Sequence, residues 1–144
     1  WKRSAPQPAL MAFDTPTREV CVLQRQRTNT PMQALVTLND DQFVEAARHF
    51  AKRILKSGGK TFPEKLNFAF EWATGRPADQ LRIDVLKEFH DEQSKVFKDD
   101  PKRADELLSV GESARDEKLD PYDHAAWTLL ASIILNLDET LNRE

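Results

Sequence analysis

From residue 30 onward the apolar positions recur at helical spacing, punctuated by residues that start and stop helices. The clearest stripe is Phe43, Val44, Ala47, Phe50, Ala51, Ile54 and Leu55, opened by Asn39, Asp40 and Asp41 and ended by Gly58 and Gly59. Lys52, Arg53 and Lys56 sit in its last turns, where cations oppose the partial negative charge of the carbonyl end. A shorter helix precedes it, from Pro31 to about Leu38. The Thr30 hydroxyl can accept from a free backbone N–H there, and proline loses nothing at the first helical position. Thr61 and Pro63 open a third helix through Leu66, Ala69, Phe70 and Ala73, which Gly75 and Pro77 close. Asp79 caps a fourth, carrying Leu81, Val85, Leu86, Phe89, Val96 and Phe97 to about Lys98. Asp100 and Pro101 start a short fifth through Leu107 and Leu108, and residues 109–119 read as a solvated loop around Gly111.

Asp120 and Pro121 repeat the same starting device before Ala125, Ala126, Trp127, Leu129, Leu130, Ile133, Ile134 and Leu137. A helix with almost no polar face is surrounded by others, so this one belongs at the centre. Residues 1–29 differ. Pro6, Pro8 and Pro16 interrupt them and no 3.6-residue repeat is present, although Glu19 to Leu23 has the β-branched character of a short extended segment. The expected fold is all-α, an irregular helical bundle of about six helices around a buried C-terminal helix. An extended basic N-terminal arm, residues 1–29, packs on a single helical domain, residues 30–144.

Charge sharpens the division. The net charge is −3, but residues 1–30 hold five Lys/Arg against two acids, which leaves 16 against 22 in the remainder. A basic arm can serve nucleic acid. In an acidic chain whose phenylalanines recur at core spacing rather than between the arginines, the arm is better read as lying on its own domain, and no nucleic-acid partner is expected. The longest nearly apolar run, Ala125 to Leu137, is far below the roughly 20 residues needed to cross a bilayer, so no membrane span is expected. Cys21 stands alone, which excludes an intramolecular disulfide. The chain starts at Trp1, which suggests a piece of something longer.

Familiar catalytic signatures are missing. His49, His90 and His124 lie on three different helices without a second ligand at metal spacing, so structural or surface roles are expected and no metal. No phosphate-binding glycine loop or glycine-flanked nucleophilic serine occurs. Two polar groups remain. Arg25, Arg27, Thr28, Asn29, Thr30, Gln33 and Asn39 surround the start of the Pro31 helix, and Arg25, Arg27, Asn29 and Gln33 are the candidate anion- or partner-binding residues. The competing reading is that they cap the helix and anchor the arm. Asp138 and Glu139 follow the central helix, at an end that favours cations, and are candidate salt-bridge acceptors for Arg18, Arg25 or Arg27; a helix that stops earlier or continues would remove the conflict. Asp40, Asp41 and Glu45 cluster at a helix start, where acids are favoured for capping, and with Asp14 they are weak candidates for proton transfer.

Certain of these residues carry a family resemblance. Phe13-Asp14 with Pro16 and Arg18, Arg27-Thr28-Asn29-Thr30-Pro31 through Gln33-Ala34-Leu35 to Leu38-Asn39-Asp40, Phe43 to Arg48, Ala126-Trp127 and Asn136-Leu137-Asp138-Glu139 resemble the C-terminal part of the planctomycete-type domain of unknown function 1553. The resemblance implies the final module of a large extracytoplasmic protein, periplasmic or exported, whose own upstream domains, often including a cytochrome c-like haem domain, would be its partners. It implies no activity for any residue here. This chain lacks the Cys-x-x-Cys-His attachment pattern, so neither haem nor any other cofactor is assigned to it. The expected function is a non-catalytic interaction or scaffold module. The alternative is part of an enzyme or binding protein acting on an anionic, for example sulfated, polysaccharide. Arg25, Arg27, Asn29 and Gln33 would then hold the anion, and Asp14 or Asp40 would move the proton.

Overall fold

A computed structural model of the chain describes residues 8–15, 23, 28 and 30–141. These residues are helical wherever they are regular: α1 (Pro8–Ala12), α2 (Pro31–Asn39), α3 (Asp41–Ser57), α4 (Phe62–Thr74), α5 (Gln80–Asp99), α6 (Pro101–Ser109), α7 (Pro121–Leu135) and α8 (Asp138–Leu141). The starts are set by local chemistry. Thr30 and Thr61 each form a reciprocal capping box, with Gln33 and Glu64 respectively, and a proline follows within two residues. The Asp40, Asp79 and Asp120 side chains accept from Gln42, Arg82 and Tyr122 N–H groups at the starts of α3, α5 and α7. Gly75 closes α4 in the left-handed conformation at φ +79°, which costs glycine little.

The helix α7 runs through the middle, packed against α3, α5 and α6 and also touching α2, α4 and α8. Its Trp127, Leu130, Ala131 and Ile134 join Ala47, Ala51 and Ile54 of α3, Leu66, Ala69 and Phe70 of α4 and Ile83 of α5 in the main core. The small side chains of Ala47, Ala51 and Ala131 allow α3 and α7 to approach closely. A second cluster, Phe97, Ala104, Leu108, Ala125 and Ala126, seals α5 and α6 against the start of α7. Trp127 is fully buried, with Phe62 and His90 rings packed 5.1 and 5.3 Å from it.

Four details depart from expectation. First, the arm includes a helical turn, α1, because Pro8 suits a first helical position and Ala9, Leu10, Met11 and Ala12 are good helix formers. Its expected extended segment, Glu19 to Leu23, lies outside the described residues apart from Leu23. Second, Leu81 and Val85 are exposed, and Ile83 and Phe97 carry the buried line of α5, since positions 81 and 85 fall on the opposite side of the helix. Third, α7 ends at Leu135, where the Asn136 N–H bonds back to Ser132 and Ile133 carbonyls, so Asp138 and Glu139 open a separate turn, where acids suit the positive end. Fourth, residues 110–120 do form a loop, but polar groups on α3 fasten it down rather than leaving it to solvent.

Candidate functional site

The polar residues at the head of α2 converge on one another. Gln33 is buried, and both amide hydrogens are used: Nε2 donates to the Ala12 carbonyl at 2.9 Å and to Thr28 Oγ1 at 3.1 Å, while Oε1 accepts from the Thr30 N–H at 3.2 Å. The Thr28 N–H and hydroxyl both donate to Asp14 Oδ2, at 3.0 and 2.5 Å. Asp14 holds the left-handed conformation, φ +53°, which aspartate tolerates better than most residues. A chain of side chains therefore ties Asp14 and α1 to the start of α2. At its other end, Thr37 Oγ1 donates to Asn136 Oδ1 at 2.6 Å and fixes α2 to the end of α7. Of the sequence candidates, Gln33 lies in this network, whereas Arg25, Arg27 and Asn29 fall outside the described residues, as does Cys21. Asp14 and Asp40 are occupied by Thr28 and by the Gln42 N–H.

A second polar assembly joins α3 to the 110–120 loop. Arg48 is only 2% exposed. Its Nη1 donates to the Leu108 carbonyl at 2.6 Å and its Nη2 to the Ser113 carbonyl at 2.7 Å and to Glu45 Oε1 at 3.3 Å, leaving Nε buried without a protein partner. Glu45 accepts the N–H groups of Glu112 and Ser113 at 3.1 and 2.9 Å and the Ser113 hydroxyl. Those two backbone bonds, reinforced by Arg48, hold Glu45 below the usual carboxylate range. One turn and two turns further along α3, Lys52 and Lys56 meet Asp116 Oδ2 at 3.3 and 2.5 Å, which depresses Asp116 strongly. These lysines thus serve the loop more than the end of their own helix.

Ser113, His49 and Glu45 invite comparison with a nucleophile, base and acid. His49 Nε2 is 2.9 Å from Ser113 Oγ. A relay needs the acid on the other ring nitrogen, but Glu45 Oε1 approaches the same Nε2, at 3.7 Å, and bonds the serine directly. The N–H groups that could receive an oxyanion are already filled by Glu45. The arrangement is a fastener. Open grooves lie beside it, between the end of α6 and the loop, and between α5 and α6. Gln33, Asp14 and Asp40 line neither.

The other polar contacts are also structural in form. The buried His124 has Nε2 3.2 Å from the Arg48 carbonyl, so that nitrogen carries the proton, and burial pushes its imidazole below the ordinary value. His90 Nε2 pairs with Asp123 Oδ1 at 3.0 Å between α5 and α7. Glu139 receives Arg82 in a two-pronged contact at 2.7 and 3.3 Å, which holds its carboxyl down; Arg18, Arg25 and Arg27, the arm partners expected for this acid, lie outside the described residues. Among the described residues no group of three potential metal ligands occurs, and no helix is long and apolar enough to cross a membrane.

The model of the family described as a protein of unknown function (DUF1553), PSD1, matches residues 1–90. The chain belongs to the DUF1553 family. The matched span contains the Asp14–Thr28–Gln33 network, α2 to α4 and the first half of α5, and with them the Glu45 and Arg48 side of the fastener. No curated protein and no solved structure matches the chain.

No motif in the sequence joins Glu45 and Arg48 to the 110–120 loop. The available signal was Arg48 inside the apolar arc of α3, next to Ala47 and Ala51, with Glu45, Lys52 and Lys56 along its edge. A charge in that arc requires partners, and its partners are main-chain carbonyls that no motif announces.

Proposed function

We propose that this chain is a non-catalytic interaction or scaffold module at the C-terminus of a larger extracytoplasmic multidomain protein, with that protein's upstream domains among its partners. The supporting observation is the engagement of Gln33 within the fold. Both of its amide hydrogens and its oxygen hold α1, Thr28 and the cap of α2, so no donor remains to grip an anion. Asp14, Asp40 and Glu45 are likewise engaged by the protein's own N–H and O–H groups, which opposes proton transfer to a substrate. The extracytoplasmic setting follows the family resemblance.

The test is titration of the full chain with dextran sulfate, together with an assay for released sulfate or shortened chains. The module reading expects no turnover and no binding that depends on Arg27 or Gln33. Turnover, or binding abolished by Arg27→Ala with helicity unchanged, would instead establish the anionic-polysaccharide alternative.

A further inference from the structure

The helix α2 is turned inside out. It buries two of its polar residues, Gln33 and Thr37 at 6% and 7% exposure, and shows three of its apolar ones to solvent, Met32, Leu35 and Leu38 at 58%, 56% and 44%, while Ala34 and Val36 are half-buried. With 3.6 residues per turn, Leu35 lies about 180° from the midpoint between Gln33 and Thr37, so the outward stripe is centred on it. Hydrogen bonds to Ala12, Thr28 and Asn136 hold the helix in this orientation, against the usual preference for burying leucine. Met11 of the adjoining α1 and Phe43 at the start of α3 are exposed as well.

We infer that this stripe is a self-association surface, on which α2 of a second copy packs antiparallel about a two-fold axis. Three observations select a second copy. Residues 30–39 contain no charged side chain, so two such faces meet without like charges between them. Asp40 and Asp41 follow the carbonyl end of α2. Antiparallel pairing sets them beside the positive N-terminal end of the facing helix, whereas parallel pairing would bring four carboxylates together. Finally, the exposed parts of Met32, Leu35 and Leu38 amount to on the order of 300 Å² per copy, within the range of functional surface patches. Two copies would bury ~600 Å², the size of a weak, transient contact.

The inference rests on the module reading and names one partner for it, and the two fail separately. A monomer inert toward dextran sulfate defeats only the dimer. The experiment is sedimentation velocity on the full chain over a concentration series reaching ~500 µM, in the range where weak dimers form. A reversible dimer is expected, with its dissociation constant raised at least ~100-fold by Leu35→Glu. Val85→Glu, an equally exposed apolar position on α5, should leave the dimer intact. Circular dichroism verifies folding, and Leu38→Glu provides a second probe if Leu35→Glu loses helicity. A monomer throughout the series overturns the inference, as does a dimer indifferent to both α2 variants or equally weakened by Val85→Glu. A monomer whose melting temperature drops with Leu35→Glu would show instead that the chain covers its own α2.

Discussion

The Arg48 guanidinium caps a helix to which it does not belong: its Nη1 donates across 2.6 Å to the Leu108 carbonyl, in the last turn of α6. Carbonyls in the final turn of a helix have no partner within it, and the cap residue of α6, Val110, is extended rather than left-handed. Arg48 supplies a donor from α3 and reaches Ser113 beyond it. Removing the side chain leaves these carbonyls without their donor, together with a space in the interface. Arg48→Ala should lower unfolding free energy by about 3 kcal/mol, read from urea denaturation. Arg48→Lys, with a single ammonium unable to span both carbonyls, should fall between. A loss below ~0.5 kcal/mol for alanine would contradict the capping role.

Gly111 makes room for the other half of the fastener. It adopts φ +95°, and a Cβ built on it would stand 2.8 Å from Glu45 Cβ and closer still to the carboxylate. Gly111→Ala combines backbone strain with expulsion of Glu45 from the Glu112 and Ser113 N–H groups. The expected result is faster hydrogen exchange at amides 112 and 113 and a stability loss of about 2 kcal/mol. Exchange at those amides unchanged from the parent protein would show that Glu45 does not hold the loop.

Gln33 tests the arm. Gln33→Ala strips the Ala12 carbonyl and the Thr28 hydroxyl of their shared donor and half-dismantles the α2 capping box. A cost of about 2 kcal/mol is expected, accompanied by earlier proteolytic cleavage around residues 10–15 while α3 to α7 stay protected. Simultaneous loss of protection across the whole bundle would mean that the arm and the core form one cooperative unit.

These cases mark what the chain reveals in order and what it conceals. The starts of α2, α3, α4, α5 and α7 were legible because Thr30, Asp40, Thr61, Asp79 and Asp120 act on N–H groups two or three residues away. The central position of α7 was legible from its lack of a polar face. Its end was not: Leu137 prolongs the apolar run, and Asn136 terminates the helix without a glycine to announce it. Arg48 was the hardest, since its partner at Leu108 stands 60 positions away along the chain, whereas the capping and arm-anchoring reading of Gln33 was legible and only its partner at Ala12, 21 positions back, was not. The outward stripe of α2 shares that cause. Pattern alone would turn Leu35 inward, and only the distant hydrogen bonds of Gln33 and Thr37 reverse it.

His124 should give the protein an acid-sensitive limb well above the carboxylate range. Its imidazole is buried between α7 and α3, near Arg48 and Lys52, which add to the penalty for a second proton; the Arg48 carbonyl and Asp116 pull the other way without overcoming it. The native value therefore lies below that of the unfolded chain, near 6.5. Above that pH neither state is charged at this residue, and stability is insensitive to it. As the pH falls below it, the unfolded chain takes up a proton that the native ring resists, so stability declines with a slope of at most about 1.4 kcal/mol per pH unit until the native value is passed. Glu45, Asp123 and Glu139, all depressed in the folded state, add their own losses only further down, starting near their ordinary values of 4.5 and 3.8. Urea midpoints measured from pH 8 to pH 5 should thus fall in the parent protein. They should stay nearly flat in His124→Gln, whose amide can still donate to the Arg48 carbonyl. If the two curves run parallel through that interval, the decline belongs to another group and the imidazole is not being held neutral by its burial.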